Sequence, residues 1–209
     1  MVCLHDPTTA RTAPHQARTD VRTAQLKDLE QFDVGLWKSE KYRNTRIPTL
    51  SKILRELPAN VILYVEIKQD DPRIIDAMFK SAKENKVPLK QLTLISFSED
   101  IVKHAKQQAP QLTAYLIHRL DHYLTDGPVH SYLERIINTA KEIGADGLDL
   151  KNSPLIERWF VDKLREARLE FHIWTVNSAE DAIRYMNLGV DSITTDRPQG
   201  LREDIINLR

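Results

Sequence analysis

Two short stretches carry the groups whose types and spacing could do chemistry. In "VILYVEIK" (61–68), the strand period of two puts Ile62, Tyr64, Glu66 and Lys68 on one face and Val61, Leu63, Val65 and Ile67 on the other. An apolar face against helices, with a carboxylate and an ammonium at the C-terminal end of the opposite face, suits a barrel strand reaching its active-site rim. The same pattern also serves a structural Glu-Lys pair. In "MVCLHDPTTARTA", His5 is followed directly by Asp6. Histidine exchanges protons near neutral pH, but so early a position is expected to fray. If the segment is extended, the two side chains point to opposite faces, so Asp6 is expected to stabilise the turn into Pro7 and Thr8 rather than orient the His5 ring.

Other candidates are weaker. His172 and Trp174 share a face in "EFHIWTV" (170–176), where the Trp suits either a pocket wall or core packing. Asp149 and Asp196 read as turn-forming residues at strand ends. His15, His104, His118, His122 and His130 lie in helical or loop text without metal-ligand spacing and are given no role.

The elements that must position these groups alternate after residue 60. Strands are predicted at "VILYVEIK", "LTLIS" (92–96), "TAYLI" (113–117), "GLDLK" (147–151), "EFHIWTV" and "DSITT" (191–195). Helical periods fill the intervals, as in "DPRIIDAMFKSAKEN", "SEDIVKHAKQQ", "YLERIINTAKEIG", "IERWFVDKLREA" and "SAEDAIRYMNLG". Such alternation means βα units and a parallel sheet. "EIGADGLDL" and "NLGVDSITT" repeat one junction of helix end, Gly, apolar residue, Asp and strand. Gly144 and Gly189 are expected to end their helices in the left-handed conformation, with the Asp turning the chain into the next strand. The echo leaves open a closed barrel or a doubly wound sheet. Residues 7–60 are polar and rich in Thr and Arg, with a helix expected near 23–32, and read as an elaborated excursion.

Lys+Arg and Asp+Glu balance at 30 each, so no electrostatic pull toward nucleic acid or an anionic membrane is expected. The six glycines include no phosphate loop after a strand. No apolar run approaches the ~20 residues of a membrane span. The single cysteine, Cys3, suits a reducing compartment, and the expectation is a cytoplasmic protein of one domain over residues 1–209.

Taken in order, "VCLHDPTTART", "DVGLWKSEKYRNTRIPTL", "VEIK", "LISFS", "HIWTVN" and "GVDSITTDRP" resemble the glycerophosphodiester phosphodiesterase family from about residue 2 to about residue 198. The resemblance implies an α/β fold of the TIM-type (β/α)₈ barrel, here with about six of eight strands, residues 7–49 as the family's small insertion and 60–209 as βα units. It implies hydrolysis of small-molecule glycerophosphodiesters to glycerol 3-phosphate and an alcohol with a divalent cation, Mg²⁺ or Ca²⁺. Residue by residue, His5 matches a catalytic histidine acting as general acid or base, and Glu66 a carboxylate ligand of the metal. Lys68 matches the basic residue that helps hold the substrate phosphate, and Trp174 an aromatic lining the pocket.

The family pattern also has a His-Arg-Gly strand and a Glu-x-Asp strand ahead of the His-Asp motif, and this sequence contains neither. The expectation is therefore a domain lacking the N-terminal part of the barrel, with the metal weakly held and turnover impaired. An unclosed barrel would expose two strand edges and favour pairing with another chain. Two alternatives stand beside this reading. One is a non-catalytic remnant that binds a phosphorylated ligand or a partner. The other is the same barrel acting on phosphatidylinositol or sphingomyelin.

Overall fold

The computed structural model describes residues 1–120 and 129–208, which fall into two compact units. The smaller comprises Met1–Val61 with Asp76–Pro88, and the larger Ile62–Ile75 with Leu89–Arg209. No helix among the described residues is long and apolar enough to cross a membrane.

The smaller unit contains α1 (Leu26–Leu29) and α2 (Leu50–Arg55), and Leu29 of α1 joins Ala13, Phe32 and Ile47 in a buried core. The predicted helix near 23–32 shrinks to α1 because the N–H groups of Thr23 and Ala24 turn back onto the Asp20 carbonyl. Asp33 organises the following loop, its carboxylate accepting from the backbone N–H groups of Gly35, Leu36 and Asn44. Those donors favour the ionised form and hold its carboxyl below the usual carboxylate range. Neither end of the helix α2 was signalled by the strong periodicity seen later in the chain, but Thr49 caps it by accepting from the Lys52 N–H.

The larger unit is built on one parallel sheet. Strands β1 (Leu63–Glu66), β2 (Leu92–Ser96), β3 (Thr113–His118), β4 (Gly147–Lys151), β5 (Glu170–Trp174) and β6 (Ser192–Ile193) lie side by side in sequence order. The connecting helices are α3 (Arg73–Glu84), α4 (Glu99–Gln108), α5 (Val129–Glu142), α6 (Arg158–Glu166) and α7 (Ala179–Leu188), and α8 (Pro198–Asn207) follows β6. Helix α3 is shared, its first turn belonging to the larger unit and the rest to the smaller. Ser98 and Ser178 cap α4 and α7 by accepting the N–H groups of Ile101 and Asp181. The strand predicted over 61–68 is shorter because the Val61 N–H turns to the Pro58 carbonyl before the ladder begins.

One face of the sheet, with Leu94, Leu116, Leu148, Leu150, Phe171 and Ile173, is fully buried with Ile101, Leu133, Phe160, Leu164 and Tyr185 of the helices. The other face curls. Strands β1 and β5 are four steps apart, about 19 Å in a flat sheet at ~4.8 Å per step. Yet the rings of Tyr64 on β1 and His172 on β5 are 6.5 Å apart, and Tyr115 on β3 lies 6.2 Å from the first and stacks at 4.0 Å on the second. Only a concave sheet brings them together, and an order of adjacent parallel strands with this curl is a partial (β/α) barrel.

The repeated junction is visible in detail. Gly144 and Gly189 have φ of 74° and 84° and end α5 and α7. The Asp146 carboxylate accepts the Ala114 N–H of β3 and pairs with Lys106 at 2.9 Å. The Asp191 carboxylate accepts the Phe171 N–H of β5 and pairs with Arg165 at 2.7 Å. Each Asp thus joins the strand before it to a cation on the helix that feeds that strand. Asp191→Ala is expected to cost about 1–3 kcal/mol by stranding the Phe171 N–H and removing the ion pair to Arg165. Urea unfolding measures it, and a loss under ~0.5 kcal/mol would contradict the structural role.

Candidate functional site at the C-terminal rim

In a barrel of this kind, chemistry sits at the C-terminal ends of the strands. Glu66 ends β1, and the Lys68 Nζ lies 2.7 Å from its Oε1. Both side chains are partly exposed, at 27% and 36%, so the pair can still meet a ligand. The face expected from the strand period is the concave one, occupied by Tyr64 two residues earlier.

Trp174 ends β5 and stands opposite Lys151 in the ladder. Its indole Nε1 donates to the Asp149 carbonyl at 3.1 Å, and its ring meets Phe97 edge to face at 5.9 Å. The indole is therefore fixed by one hydrogen bond and one ring. Trp174 is half-buried there. His172, one layer deeper, is buried and held by Ser192 Oγ at 2.7 Å and Glu170 Oε2 at 3.2 Å. Burial pushes its pKa down, so it packs as a neutral ring.

His5 lies in the smaller unit, and its segment does not fray. The Cys3 N–H donates to the Pro48 carbonyl, the Leu50 N–H donates to the Met1 carbonyl, and Val2 bridges Thr49. Asp6 also departs from expectation. Residues 5–7 bend instead of extending, so neighbouring side chains converge and the Asp6 Oδ1 meets the His5 Nδ1 at 2.8 Å. Arg11 Nε holds the other oxygen of the same carboxylate at 2.5 Å. The Arg11 hydrogen bond, then the His5 one, keep the Asp6 carboxyl below the usual range. Asp6 orients the His5 ring, whose side chain is 74% exposed.

Phe97 and Arg119 are not singled out by sequence pattern, and Asp149 departs from the reading given to it. Asp149 is no turn residue. It sits in the middle of β4, 3% exposed, with Oδ1 lacking any hydrogen-bond partner. Burial first, and the charge of Glu66 second, push its carboxyl up to about 7. Its signal was the period of two in "GLDLK", which sets Gly147, Asp149 and Lys151 on one face. Phe97 and Arg119, just beyond β2 and β3, flank Trp174. Asp196, by contrast, does serve a loop, accepting from Asn177 Nδ2 at 2.9 Å. His122 lies outside the described residues. A separate cleft beside α6 and α7 includes Arg158 and Arg184. Both guanidinium groups are already spent on backbone carbonyls, of Leu188 and Ile156, at 3.0 Å each.

The family model described as the glycerophosphoryl diester phosphodiesterase family matches residues 1–200. The chain belongs to that family. A glycerophosphodiester phosphodiesterase from Caldanaerobacter subterraneus subsp. tengcongensis is 26% identical over 212 residues, covering 100% of this chain and 79% of the relative. One from Bacillus subtilis is 24% identical over 213 residues, covering 95% of this chain and 69% of its own length. Among solved structures, a phosphodiesterase of Oleispira antarctica, in complex with the product sn-glycerol-3-phosphate, superposes with a TM-score of 0.82 at 23% identity. That match covers 98% of this chain and 79% of the other. The glycerophosphoryl diester phosphodiesterase fold is a TIM-type barrel, and the six parallel strands are a part of it.

A hard divalent cation needs several oxygen ligands. Among the described residues no three His, Cys, Asp or Glu side chains gather to hold one. Glu66 shares its Oε1 with Lys68, and Asp149 adds one unpartnered oxygen. These donors do not fit a self-sufficient cation site.

The Asp149 carboxyl gives a stability signature. Its pKa is raised from 3.8 to about 7 on folding, so the folded state holds the extra proton between those values. The penalty is absent below about pH 4, grows as pH rises to about 7 and is full above it. In EDTA, Asp149→Asn is expected to gain on the order of 2–4 kcal/mol at pH 8 and little at pH 4. Denaturant unfolding at both pH values reads this, and an equal effect at both would contradict a buried, charge-averse carboxyl.

Proposed function

We propose that the chain is one glycerophosphodiester phosphodiesterase-like domain over residues 1–209, hydrolysing a glycerophosphodiester to glycerol 3-phosphate and an alcohol. The observation that carries this reading is the family match across residues 1–200, with a lysine and a carboxylate paired at the rim of β1 within it.

A phosphodiester resists attack because its oxygens are anionic. Lys68 is assigned to a non-bridging phosphate oxygen, where its charge offsets what accumulates as the phosphoryl group is displaced. The departing alkoxide needs a proton, and His5, steadied by Asp6 and Arg11, is assigned as the group that gives or takes it. Trp174 is assigned to the pocket wall. Glu66 is assigned as one ligand of a divalent cation, Mg²⁺ or Ca²⁺, held weakly because the described donors fall short of a full set. Titration calorimetry is expected to return a Kd of ~1 mM or weaker for either ion; micromolar binding would show a fuller ligand set.

With that ligand set, turnover by these 209 residues is expected to be slow. Glycerol 3-phosphate release from glycerophosphodiesters, with Mg²⁺ or Ca²⁺ added, is expected to fall at least about tenfold further in Lys68→Ala. Fast release that neither Lys68→Ala nor His5→Ala slows would overturn the assignments.

The second reading, a phosphate-ligand binder without catalysis, draws on the lack of a three-donor cluster among the described residues. Under it, sn-glycerol 3-phosphate binds and Lys68→Ala weakens it, but the parent chain releases no product.

A further inference from the structure

Beside the phosphate-facing groups, the rim carries a second set of side chains. Phe97, Arg119 and Trp174 come from the ends of β2, β3 and β5, three strands that the curl of the sheet brings to one side. The Arg119 guanidinium carbon lies 5.3 Å from the Phe97 ring centroid and 5.6 Å from that of Trp174. The rings are perpendicular at 5.9 Å, and Phe97 is 45% exposed. Among the described residues no carboxylate pairs with Arg119, which is exposed.

Two open aromatic rings are the usual seat for a cationic headgroup, which is attracted to their faces. Here an arginine already lies against both. An incoming ammonium would meet a like charge within a few ångströms, and that juxtaposition is unfavourable. A carboxylate or phosphate would instead receive the two parallel N–H groups of a guanidinium that pairs with no carboxylate among the described residues. The rings would still cover the carbon skeleton of the alcohol. Trp174 cannot swing away readily to admit a cation, because its Nε1 is tied to the Asp149 carbonyl.

We propose that Phe97, Arg119 and Trp174 form the subsite for the alcohol half of the diester, and that Arg119 selects alcohols bearing an anionic group over purely cationic ones. This rests on the phosphodiesterase reading and adds the substrate class to it.

Glycerophosphoserine and glycerophosphoethanolamine test the idea cleanly, since they differ by one carboxylate, on the carbon that bears the ammonium. Titration calorimetry of the full chain is expected to find the serine diester at least about tenfold tighter. Arg119→Gln should reduce that preference to about twofold or less and Arg119→Lys should restore part of it, whereas Lys68→Ala should weaken both diesters alike. Equal affinity for the two diesters, or a preference that Arg119→Gln leaves intact, overturns the Arg119 subsite and leaves the phosphodiesterase reading standing. Binding of neither diester overturns both.

Discussion

Gly147 carries no side chain, and across the space it leaves, two residues from strands on either side of it join hands. Tyr115 on β3 donates its hydroxyl to Glu170 on β5 at 2.5 Å, while its ring stacks on His172 at 4.0 Å. A Cβ at position 147 would lie 2.5 Å from the Glu170 carbonyl oxygen and 2.8 Å from its Cβ, so only glycine allows the approach. Burial and the neighbouring Glu170 carboxylate both raise the Tyr115 pKa, and the phenol stays a donor. This layer closes the inner face across β3, β4 and β5, and Tyr64 extends it to β1. Without such a floor, the strands that carry Glu66, Asp149 and Trp174 would have no reason to aim their ends at one another.

The rim inherits its geometry from that floor. Because the side chains alternate, the residues one layer above Tyr64, Gly147 and His172 are Glu66, Asp149 and Trp174. The outer face is nearly all apolar and pinned by helices, so the strands cannot slip by one residue without exchanging the two sets. The Asp146 and Asp191 junctions fix the entry of β4 and β6 against the strands before them, which sets the register at the other end. A short sequence repeat is thus the means by which a distant rim is aligned.

How far the sequence disclosed this depends on whether a contact is local. The Glu66–Lys68 pair is local, two residues apart at the end of one strand, and the glycine helix ends at 144 and 189 are equally local. Strand centres at 92–96 and 147–151 were legible because their apolar runs are short and bounded. Asp6 and Pro7 mark a turn in the sequence, but the His5–Asp6 contact depends on how residues 5–7 bend, which residue type does not specify. Phe97, Arg119 and Trp174 lie on three strands, and their meeting depends on register and curl, which pattern within one segment cannot supply. Asp149 reads as a turn residue because Asp is common at strand ends. Its place inside the ladder, paired with Ile117 and His172, is fixed by neighbours elsewhere in the chain.

On the proposed reading, the concave rim at the Lys68–Glu66 pair is where this chain meets a glycerol phosphate. A crystal structure of the protein grown with sn-glycerol 3-phosphate tests it most directly. The phosphate is expected within about 3 Å of Lys68 Nζ, with the Lys68–Glu66 contact loosened and Trp174 beside the ligand. Phosphate density in the α6–α7 cleft by Arg158 and Arg184, with Lys68 still closed on Glu66, would contradict it.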